Sequence, residues 1–335
     1  MTIKDLAAKT GYAVGTVSRA LNDHPNVSEK ARKIILEAAS ESGFQLNVNA
    51  KQLKQQYSNT ILVVVKGIRN ELFAEMVETI QSLVSKTRYQ LAVDYMDEDL
   101  NEVIRAVQLC REKKPLGILF LGGNHQHFEK DFEKIDVPCV LVTNDASALG
   151  FSNLSSVSND AREAGRYAVE MLIGMGHKNI AIIGGDREVS DTSRLRYEGC
   201  LAAMKAHGLT FDPQKDYRGV RFSYQDGYHA TRELLAEDRK FTAIFAAADV
   251  MAIGAIRALW ENGLRVPEDV SVMGVDGLPM GTYMVPQLTT VRQPVPLMAL
   301  RSVEILLQNI EGNAAAVHET IPFEIYRRES VRNVE

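Results

Sequence analysis

From residue 60 onward, short runs of branched apolar residues alternate with longer stretches of helical periodicity. Residues 61–65, 117–121 and 270–275 are apolar runs typical of buried strands, whereas residues 70–86 and 249–261 place their apolar side chains on one helical face. Because parallel strands can be joined only by a long crossover, strands that alternate with helices indicate parallel sheets. The pattern predicts an α/β body made of two halves.

The composition is that of a soluble protein in a reducing compartment. The chain has 335 residues, of which 45% are hydrophobic and 24% charged, and its formal net charge is −5. No apolar run approaches the ~20 residues of a membrane span, and charged residues interrupt the first ten, so neither a membrane segment nor a secretory leader is predicted. Cys110, Cys139 and Cys200 lie far apart without a CxxC motif, which argues against disulfides. We expect a cytoplasmic protein with no membrane partner.

Charge is distributed unevenly along the chain. Residues 1–57 carry eight basic and five acidic side chains, a net charge of +3, whereas the remainder carries a net charge of −8. A small basic unit attached to an acidic body is typical of a nucleic-acid-binding head. Chance variation could also produce this difference, so the local pattern has to decide.

The first 45 residues have the pattern of a three-helix head. A first helix begins at a Thr2 cap and ends at Gly11, a second spans Val14–Leu21, and a third runs from a Ser28 cap to about Ser42. The residues expected to face inward are Ile3, Leu6, Ala7, Val17, Ala20, Leu21, Ile34, Ile35 and Ala38. Two short helices joined by a glycine turn and supported by a third describe a helix-turn-helix.

The second helix of such a motif enters the major groove of DNA with its N-terminal residues toward the bases. Val14 and Gly15 would lie there, with Arg19 one turn later, and arginine suits guanine or a phosphate. Short polar side chains suited to phosphate oxygens are Thr2, Thr16, Ser18, Asn22 and Ser28. The alternative is a small helical packing domain in which the serines and threonines are only caps.

A polar segment of about ten residues, from Asn47, separates the head from the first strand. Such a helix is too short to be stable alone in water. Ala50 and Leu53 share one face, and Lys51 and Lys54 flank them. We expect this linker to fold when paired with another chain on DNA, with Leu53 wedged into the minor groove and the lysines at phosphates.

The sequence TVSRALN at residues 16–22, followed by Asn47 and AKQL at residues 50–53, resembles the head and hinge of LacI/GalR-family transcriptional regulators. The resemblance implies dimeric DNA binding, base reading by Val14, Gly15 and Arg19, and intercalation by Leu53. It departs from the family pattern at Ala13, where a serine cap is expected, and at Leu46, where proline is usual. With the flexible Gly15, these departures predict a less ordered reading head.

The resemblance also implies the domain organisation. A helix-turn-helix head would occupy residues 1–45 and a hinge residues 46–58, with the body at 59–335. The body would be two Rossmann-like parallel-sheet subdomains similar to periplasmic sugar-binding proteins, connected by three crossings of the chain. We place the first subdomain at residues 59–158 and 288–318, and the second at 159–287 and 319–335.

Ligands of such sheets bind at the carboxyl ends of the strands, in the crevice between the two halves. Leu121, Thr143 and Asn144 follow predicted strands there. The resemblance adds the residues that correspond to the family's ligand pocket, namely Phe73, Arg196, Phe222, Ala248 and Asp276. Arginine, aspartate and aromatic rings together suit a sugar, although Leu121 and Ala248 offer no polar side chain. The alternatives are a surface salt bridge for Arg196, a turn for Asp276 and core positions for the phenylalanines.

The sequence carries no motif that indicates catalysis. GxSxG, HExxH, GxxxxGK[ST] and GxGxxG are absent, and His125 with His127 lacks a third ligand for a metal. We expect no cofactor, no metal and no enzyme activity. The chain ends about seven residues after Arg328, which leaves no room for a heptad tail and favours a dimer.

The sequence therefore predicts a dimeric, DNA-binding repressor controlled by a small effector, a sugar or sugar derivative. Three alternatives stay open. One is a solute-binding receptor of the same fold with a vestigial head, and another is an α/β enzyme. The third is a regulator controlled by a partner protein or a nucleobase instead of a sugar.

Overall fold

The computed structural model describes residues 3–21, 27–42, 58–68, 70–237, 240–312 and 315–334. Its contacts divide the chain into two units, Met1–Ser58 and Asn59–Glu335. Residues 46–57 of the predicted hinge lie outside the described residues. The predicted DNA contacts that also lie outside them are Thr2, Asn22, Asn47, Ala50, Lys51, Leu53 and Lys54.

The described part of the first unit is helical. Its helices are α1 (Ile3–Thr10), α2 (Val14–Leu21) and α3 (Glu29–Glu41). Gly11 follows α1 with a φ of +73°, which glycine adopts without strain. Ser28 caps α3, because its Oγ accepts a hydrogen bond from the Ala31 amide at 3.4 Å.

A small apolar cluster holds these helices together, with Leu6 and Ile35 fully buried. The prediction for the third helix was wrong at Ile34, whose side chain is 37% exposed. The inward face of α3 contains Ala31, Ile35 and Ala39 instead. These residues follow each other at intervals of four, which places them on one face of the helix.

The second unit contains two six-stranded sheets, each covered by helices. The strands of the first sheet are β1 (Thr60–Lys66), β2 (Gln90–Met96), β3 (Gly117–Leu121), β4 (Cys139–Thr143), β5 (Leu154–Ser158) and β11 (His318–Thr320). They lie in the order β11-β5-β4-β3-β1-β2, and all neighbours are parallel. The helices of this first subdomain are α4 (Glu71–Val84), α5 (Glu102–Lys113), α6 (His125–Asp131) and α13 (Val295–Gly312).

The second sheet forms the second subdomain. Its strands are β6 (Ile180–Gly184), β7 (Tyr217–Gly219), β8 (Ala243–Ala246), β9 (Ser271–Asp276), β10 (Thr289–Arg292) and β12 (Glu324–Tyr326). They lie in the order β12-β10-β9-β8-β6-β7, and only β12 is antiparallel to its neighbour. The helices are α7 (Ala161–Gly174), α8 (Asp191–Ala206), α9 (Pro213–Asp216), α10 (Tyr224–Ala236), α11 (Asp249–Glu261) and α12 (Met280–Tyr283). The predicted α/β fold class is confirmed.

The chain passes between the two sheets three times, after β5, after β10 and after β11. We expected the first subdomain to resume at residue 288, but Thr290 of β10 pairs with Gly274 of β9, so the second crossing follows Arg292. Similarly, Thr320 pairs with Ser158 in the first sheet, so this subdomain extends two residues beyond the expected 318. The sequence pattern predicts no strand at residues 289–292 or 318–320, and a local pattern does not say which sheet a segment joins.

Glycine pairs allow neighbouring helices of the second subdomain to pack closely. A Cβ on Gly165 of α7 would overlap the Arg196 carbonyl oxygen, and one on Gly199 of α8 would overlap that of Arg162. Because α8 carries Arg196, this close contact sets the position of that side chain.

Among the described residues, no helix is both long and apolar enough to cross a membrane.

Candidate functional site

A cleft of about 330 Å³ lies between the two subdomains, at the carboxyl ends of the strands. Lys66 at the end of β1 and Thr143 at the end of β4 line its first wall. Gly185 after β6 and Asp276 at the end of β9 line the second. Parallel strands present their carboxyl ends at the same edge of a sheet, and the two edges together form the cleft.

The cleft contains most of the residues that we predicted from strand ends and from the family resemblance. The residues brought to its walls are Phe73, Thr143, Asn144, Arg196, Phe222 and Asp276. Leu121 and Ala248 lie in the hydrophobic core instead, with 0% and 2% of their surface exposed. Leu121 is the last residue of a strand that is buried throughout, and its side chain packs in the core layer beneath the cleft.

Arg196 and Asp276 form the polar centre of the second wall. The Arg196 Nη1 donates a hydrogen bond to the Ala247 carbonyl at 2.6 Å, and its Nη2 lies 4.0 Å from Asp276 Oδ1. Its Nε has no partner among the described residues. Burial lowers the pKa of Arg196, while the charges of Asp276 and Asp249 act against that shift. Arg196 therefore keeps one buried N–H donor without a partner, next to the carboxylate of Asp276.

Asp276 is held in a strained and buried position. Its φ is +122°, and its Oδ1 accepts a hydrogen bond from Gln293 Nε2 at 2.8 Å. Burial raises the pKa of Asp276 to about 6, although Arg196 and Gln293 oppose the shift. Asp249, behind it, is also buried, and burial together with the charge of Asp276 raises the pKa of Asp249 well above its ordinary value. Positive φ at a non-glycine residue often marks a functional position.

Aromatic rings border the polar centre, and glycines at the strand ends make room for them. Phe73 is buried and Phe222 is half-buried. A Cβ on Gly122 would meet the Phe73 ring at 3.1 Å, and one on Gly185 would meet the Phe222 ring at 2.7 Å. The rings can therefore offer apolar surface to the C–H face of a ligand.

The cleft residues that sequence reasoning missed include three with long polar side chains, Lys66, Arg221 and Gln293. Lys66 Nζ lies 2.5 Å from Glu102 Oε2, and this pair is almost completely buried. The signal for Lys66 was present in the sequence, since a lysine directly ends an otherwise apolar buried strand. Gln293 directly follows a strand that the periodicity did not predict.

Polar contacts join the subdomains around the cleft, so the structure is closed. Asn124 Nδ2 donates to the Val189 carbonyl at 2.9 Å, and the His125 amide donates to Asp191 Oδ2 at 2.7 Å. Tyr224 donates to Glu71 Oε1 at 2.6 Å. A further set of ion pairs joins Arg221 to Asp97, Glu98 and Asp99.

In the head, α2 presents the predicted base-reading residues to solvent. Val14 is 43% exposed, and Gly15 and Arg19 are also exposed. Thr16 and Ser18 are half-buried, whereas Ser28 is exposed at the start of α3. The Ala13 carbonyl accepts the first helical hydrogen bond, from Val17, at 3.0 Å, and alanine supplies no side-chain cap.

Comparison with known proteins identifies the family. Residues 2–47 match the family described as bacterial regulatory proteins, lacI family, and residues 172–331 match the periplasmic binding protein-like domain. The HTH-type transcriptional regulator MalR of Clostridium butyricum is 35% identical to the chain and is matched over 100% of both proteins. The chain belongs to the LacI family.

Other LacI-family proteins agree with this assignment. The HTH-type transcriptional repressor PurR of Pasteurella multocida is 30% identical over 99% of both proteins. The lac repressor dimer bound to operator and the anti-inducer ONPF superposes with a TM-score of 0.82, at 26% identity over 99% of both chains. LacI-family regulators bind DNA operators and form dimers. The chain is a DNA-binding transcriptional regulator, and these relatives are regulators rather than enzymes.

Proposed function

We propose that this LacI-family regulator is a dimeric repressor controlled by a small effector, a sugar or sugar derivative, bound in the cleft. The observation that carries the proposal is the Arg196–Asp276 pair, which offers an unused donor and a carboxylate acceptor side by side. A sugar hydroxyl both donates and accepts hydrogen bonds, so it matches such a pair. The rings of Phe73 and Phe222 suit the apolar face of the same ligand.

The effector would act by favouring one arrangement of the two subdomains. The contacts of Asn124, His125, Tyr224 and Arg221 stabilise the closed cleft, and a ligand that bridges both walls adds to them. A ligand shifts such an equilibrium only by the difference in its affinity for the two states. Closure of the cleft would then change the affinity of the dimer for its operator.

The head would read the operator through α2. The exposed Val14, Gly15 and Arg19 are suited to the bases of the major groove. Thr16, Ser18 and Ser28 are suited to phosphate oxygens. In this proposal the head spans residues 1–45, and residues 46–58 form a hinge whose Leu53 enters the minor groove.

Dimerisation is supported by the exposed apolar side chains of residues 280–285. Met280 is 50% exposed, Tyr283 83% and Val285 91%. Large apolar side chains close together on a surface indicate an interface. The lac repressor, which has the same fold, is a dimer in the structure named above.

The proposed function is tested by selection of random DNA duplexes on the full chain, followed by sequencing. We expect an enriched pseudo-palindrome whose affinity falls steeply with salt, because phosphate contacts release counterions. A panel of neutral sugars, sugar acids and nucleobases is then scored for release or capture of that operator. We expect a sugar to change operator affinity at least tenfold.

Two variants separate effector binding from DNA binding. Arg196→Met is expected to bind the selected operator as the wild type does but to lose the response to the effector. Lys205→Met, an exposed change on the same helix, is expected to keep both operator binding and the response to the effector. A panel in which only nucleobases are active would contradict the sugar assignment, and failure to enrich any DNA sequence would contradict the role as an operator-binding repressor.

A further inference from the structure

Among the described residues, Lys66 is the only cation of the first subdomain that lines the cleft. It ends the buried strand β1, and only 8% of its side chain is exposed. Its ammonium donates to Glu102 Oε2 at 2.5 Å, and the described residues give it no other hydrogen-bond partner. Because an ammonium has three N–H groups, two donors remain for a ligand.

Glu102 is completely buried and receives three hydrogen bonds. Its Oε1 accepts from the Asn124 amide at 2.6 Å, and its Oε2 accepts from Lys66 and from His127 Nδ1, the latter at 2.8 Å. Burial alone raises the pKa of Glu102, but the bonds from His127, Lys66 and Asn124 outweigh it, so the pKa lies below its ordinary value. Glu102 is therefore an ionised counter-ion that fixes Lys66 in place.

The network is difficult to explain as a stabilising element of the fold. A buried ion pair has to recover the cost of removing both charges from water, and apolar residues of similar volume often stabilise a core as well or better. The neighbouring strand residues, such as Val64 and Val65, are apolar and fully buried. A lysine at this place is better explained by what its free donors can bind.

The charges around the cleft indicate what kind of ligand the cleft can bind. Each cation that lines the cleft in the described structure has its own carboxylate: Lys66 has Glu102, Arg196 has Asp276, and Arg221 has Asp97 and its neighbours. Asp186, which also lines the cleft, adds a further negative charge. An acidic ligand would find no cation without a counter-ion, whereas neutral hydroxyls would meet several free N–H donors.

We propose that Lys66 donates hydrogen bonds to a neutral, hydroxyl-rich ligand, and that the buried Glu102 excludes acidic ligands by neutralising the Lys66 charge. This inference rests on the proposed role of the cleft as an effector site. Lys66 contacts the ligand, and Glu102 is a positioning residue that acts through Lys66. Glu102 also receives the amide of Asn124, whose side chain bonds Val189 of the second subdomain. The Glu102 carboxylate therefore holds both Lys66, which would bind the ligand, and Asn124, which forms one of the contacts that keep the cleft closed.

The test uses the full chain and matched neutral and acidic sugars: glucose and glucuronate, galactose and galacturonate, maltose and maltobionate. Binding is measured by calorimetry and by the increase in melting temperature. We expect the wild type to bind at least one neutral sugar tenfold more tightly than its acid. In Glu102→Gln the Lys66 charge has no counter-ion, so this ratio is expected to shift toward the acid at least tenfold.

The control is Glu133→Gln, an exposed change of the same charge in the same subdomain, which is expected to leave the ratio unchanged. Lys66→Met leaves the buried Glu102 without its ammonium counter-ion and can fail to fold, so the double variant Lys66→Met/Glu102→Gln is tested with it. The double variant is expected to lose at least tenfold in affinity for the neutral sugar without gaining affinity for the acid. If the role of Glu102 is purely structural, Glu102→Gln should lower the affinity for the neutral sugar and for its acid by the same factor.

Several results would overturn the inference. They are a wild type that prefers the acid, a folded Glu102→Gln variant with an unchanged ratio, and a wild type that binds no sugar in the set. Operator selection is independent of these measurements. Normal operator binding with either of the first two results refutes the inference alone, and a wild type that binds no sugar also contradicts the sugar effector. The expected ratios without any selected operator refute the proposed repressor.

Discussion

The two carboxylates that face the cations of the cleft show how local bonding decides the protonation of a buried acid. Glu102 and Asp276 are both buried, but the pKa of Glu102 lies below its ordinary value and that of Asp276 lies above. Glu102 receives three hydrogen bonds, one of which comes from the Lys66 ammonium at 2.5 Å. Asp276 has one side-chain bond, from Gln293, and an arginine at 4.0 Å. Burial dominates where the compensating groups are few or distant.

The raised pKa of Asp276 predicts a pH dependence of effector binding. The pKa of about 6 means that Asp276 is ionised at pH 7 and mostly protonated at pH 5. If the ligand donates to the carboxylate, its affinity should be about tenfold lower at pH 5 than at pH 7, because binding then has to displace a proton. The measurement is calorimetric titration of the active sugar across this range.

Asp276→Asn is the matching variant, since an amide cannot titrate. We expect weaker binding at pH 7 and an almost flat pH profile. An equally steep profile in the variant would assign the dependence to another group. In the free protein, the raised pKa also means that stability falls as the pH rises from about 4 to about 6, because the folded state holds this proton more tightly than the unfolded chain.

At the scale of secondary structure, the close contact between α7 and α8 links packing to the site. A methyl group on Gly199 would overlap the Arg162 carbonyl oxygen. We expect Gly199→Ala to destabilise the second unit by about 1–3 kcal/mol, the usual cost of overpacking. Because Arg196 lies one turn earlier on α8, effector affinity should fall as well.

Gly174→Ala is the matched control, because Gly174 ends α7 with open space where a Cβ would lie. Alanine there should leave stability unchanged or raise it by up to about 1 kcal/mol. Urea unfolding and sugar titration of both variants make the comparison. Equal stability of the two would contradict the packing argument.

The start of α3 allows a second test at this scale. Ser28 caps the helix and is also predicted to contact a phosphate. Aspartate caps a helix as well as serine does, but it repels phosphate. We expect Ser28→Asp to keep the head folded and to lose at least tenfold in operator affinity, while Ser28→Ala destabilises α3 by about 1 kcal/mol.

Head stability is followed by amide exchange and operator affinity by fluorescence anisotropy. Ser40→Asp places the same charge near the other end of α3, on an exposed residue. If Ser40→Asp weakens operator binding as much as Ser28→Asp does, the effect is a general change of charge and Ser28 is only a cap.

Elements with a clear apolar run or helical period could be predicted from the sequence, whereas three short strands could not. Helix Asp249–Glu261 and strand Gly117–Leu121 have the predicted bounds, because the helix shows a helical period and the strand is an uninterrupted apolar run. Strands β7, β10 and β11 have three or four residues, which is too few for a repeat. Their pairing with distant strands supplies what the local sequence lacks.

The same distinction applies to the candidate site. Strand ends indicated Thr143 and Asn144, and the family resemblance indicated Arg196 and Asp276, because these positions depend on local pattern. The contact of Lys66 with Glu102 joins residues 36 positions apart and forms only when β1, α5 and α6 pack together. For Leu121, the position at the strand end could be predicted, but the direction of the side chain could not.

At the scale of the whole effector-binding unit, the ion pairs of Arg221 should control how far the cleft opens. Arg221 joins the second subdomain to Asp97, Glu98 and Asp99 of the first, and the arginine is half exposed. Exposed pairs contribute about 0–1 kcal/mol each, so together they can shift the closed fraction severalfold. Arg221→Gln should therefore increase the radius of gyration of the ligand-free protein in X-ray scattering.

At high salt, we expect the radius of gyration of the wild type to increase and that of Arg221→Gln to stay the same, since salt screens exposed charges. Arg232→Gln, an exposed change in the same subdomain, should behave as the wild type. A radius that is independent of both Arg221 and salt would show that the hydrogen bonds of Asn124 and His125 are sufficient to hold the cleft closed.

The Lys66–Glu102 pair has a consequence for how this protein can change over generations. Loss of either partner alone leaves a buried charge unpaired, which is costly in any protein interior. A descendant that acquires a different ligand preference at this wall must therefore replace both residues together, or pass through an intermediate of low stability. Among close relatives of this chain, lysine at position 66 and glutamate at position 102 should be inherited as a unit.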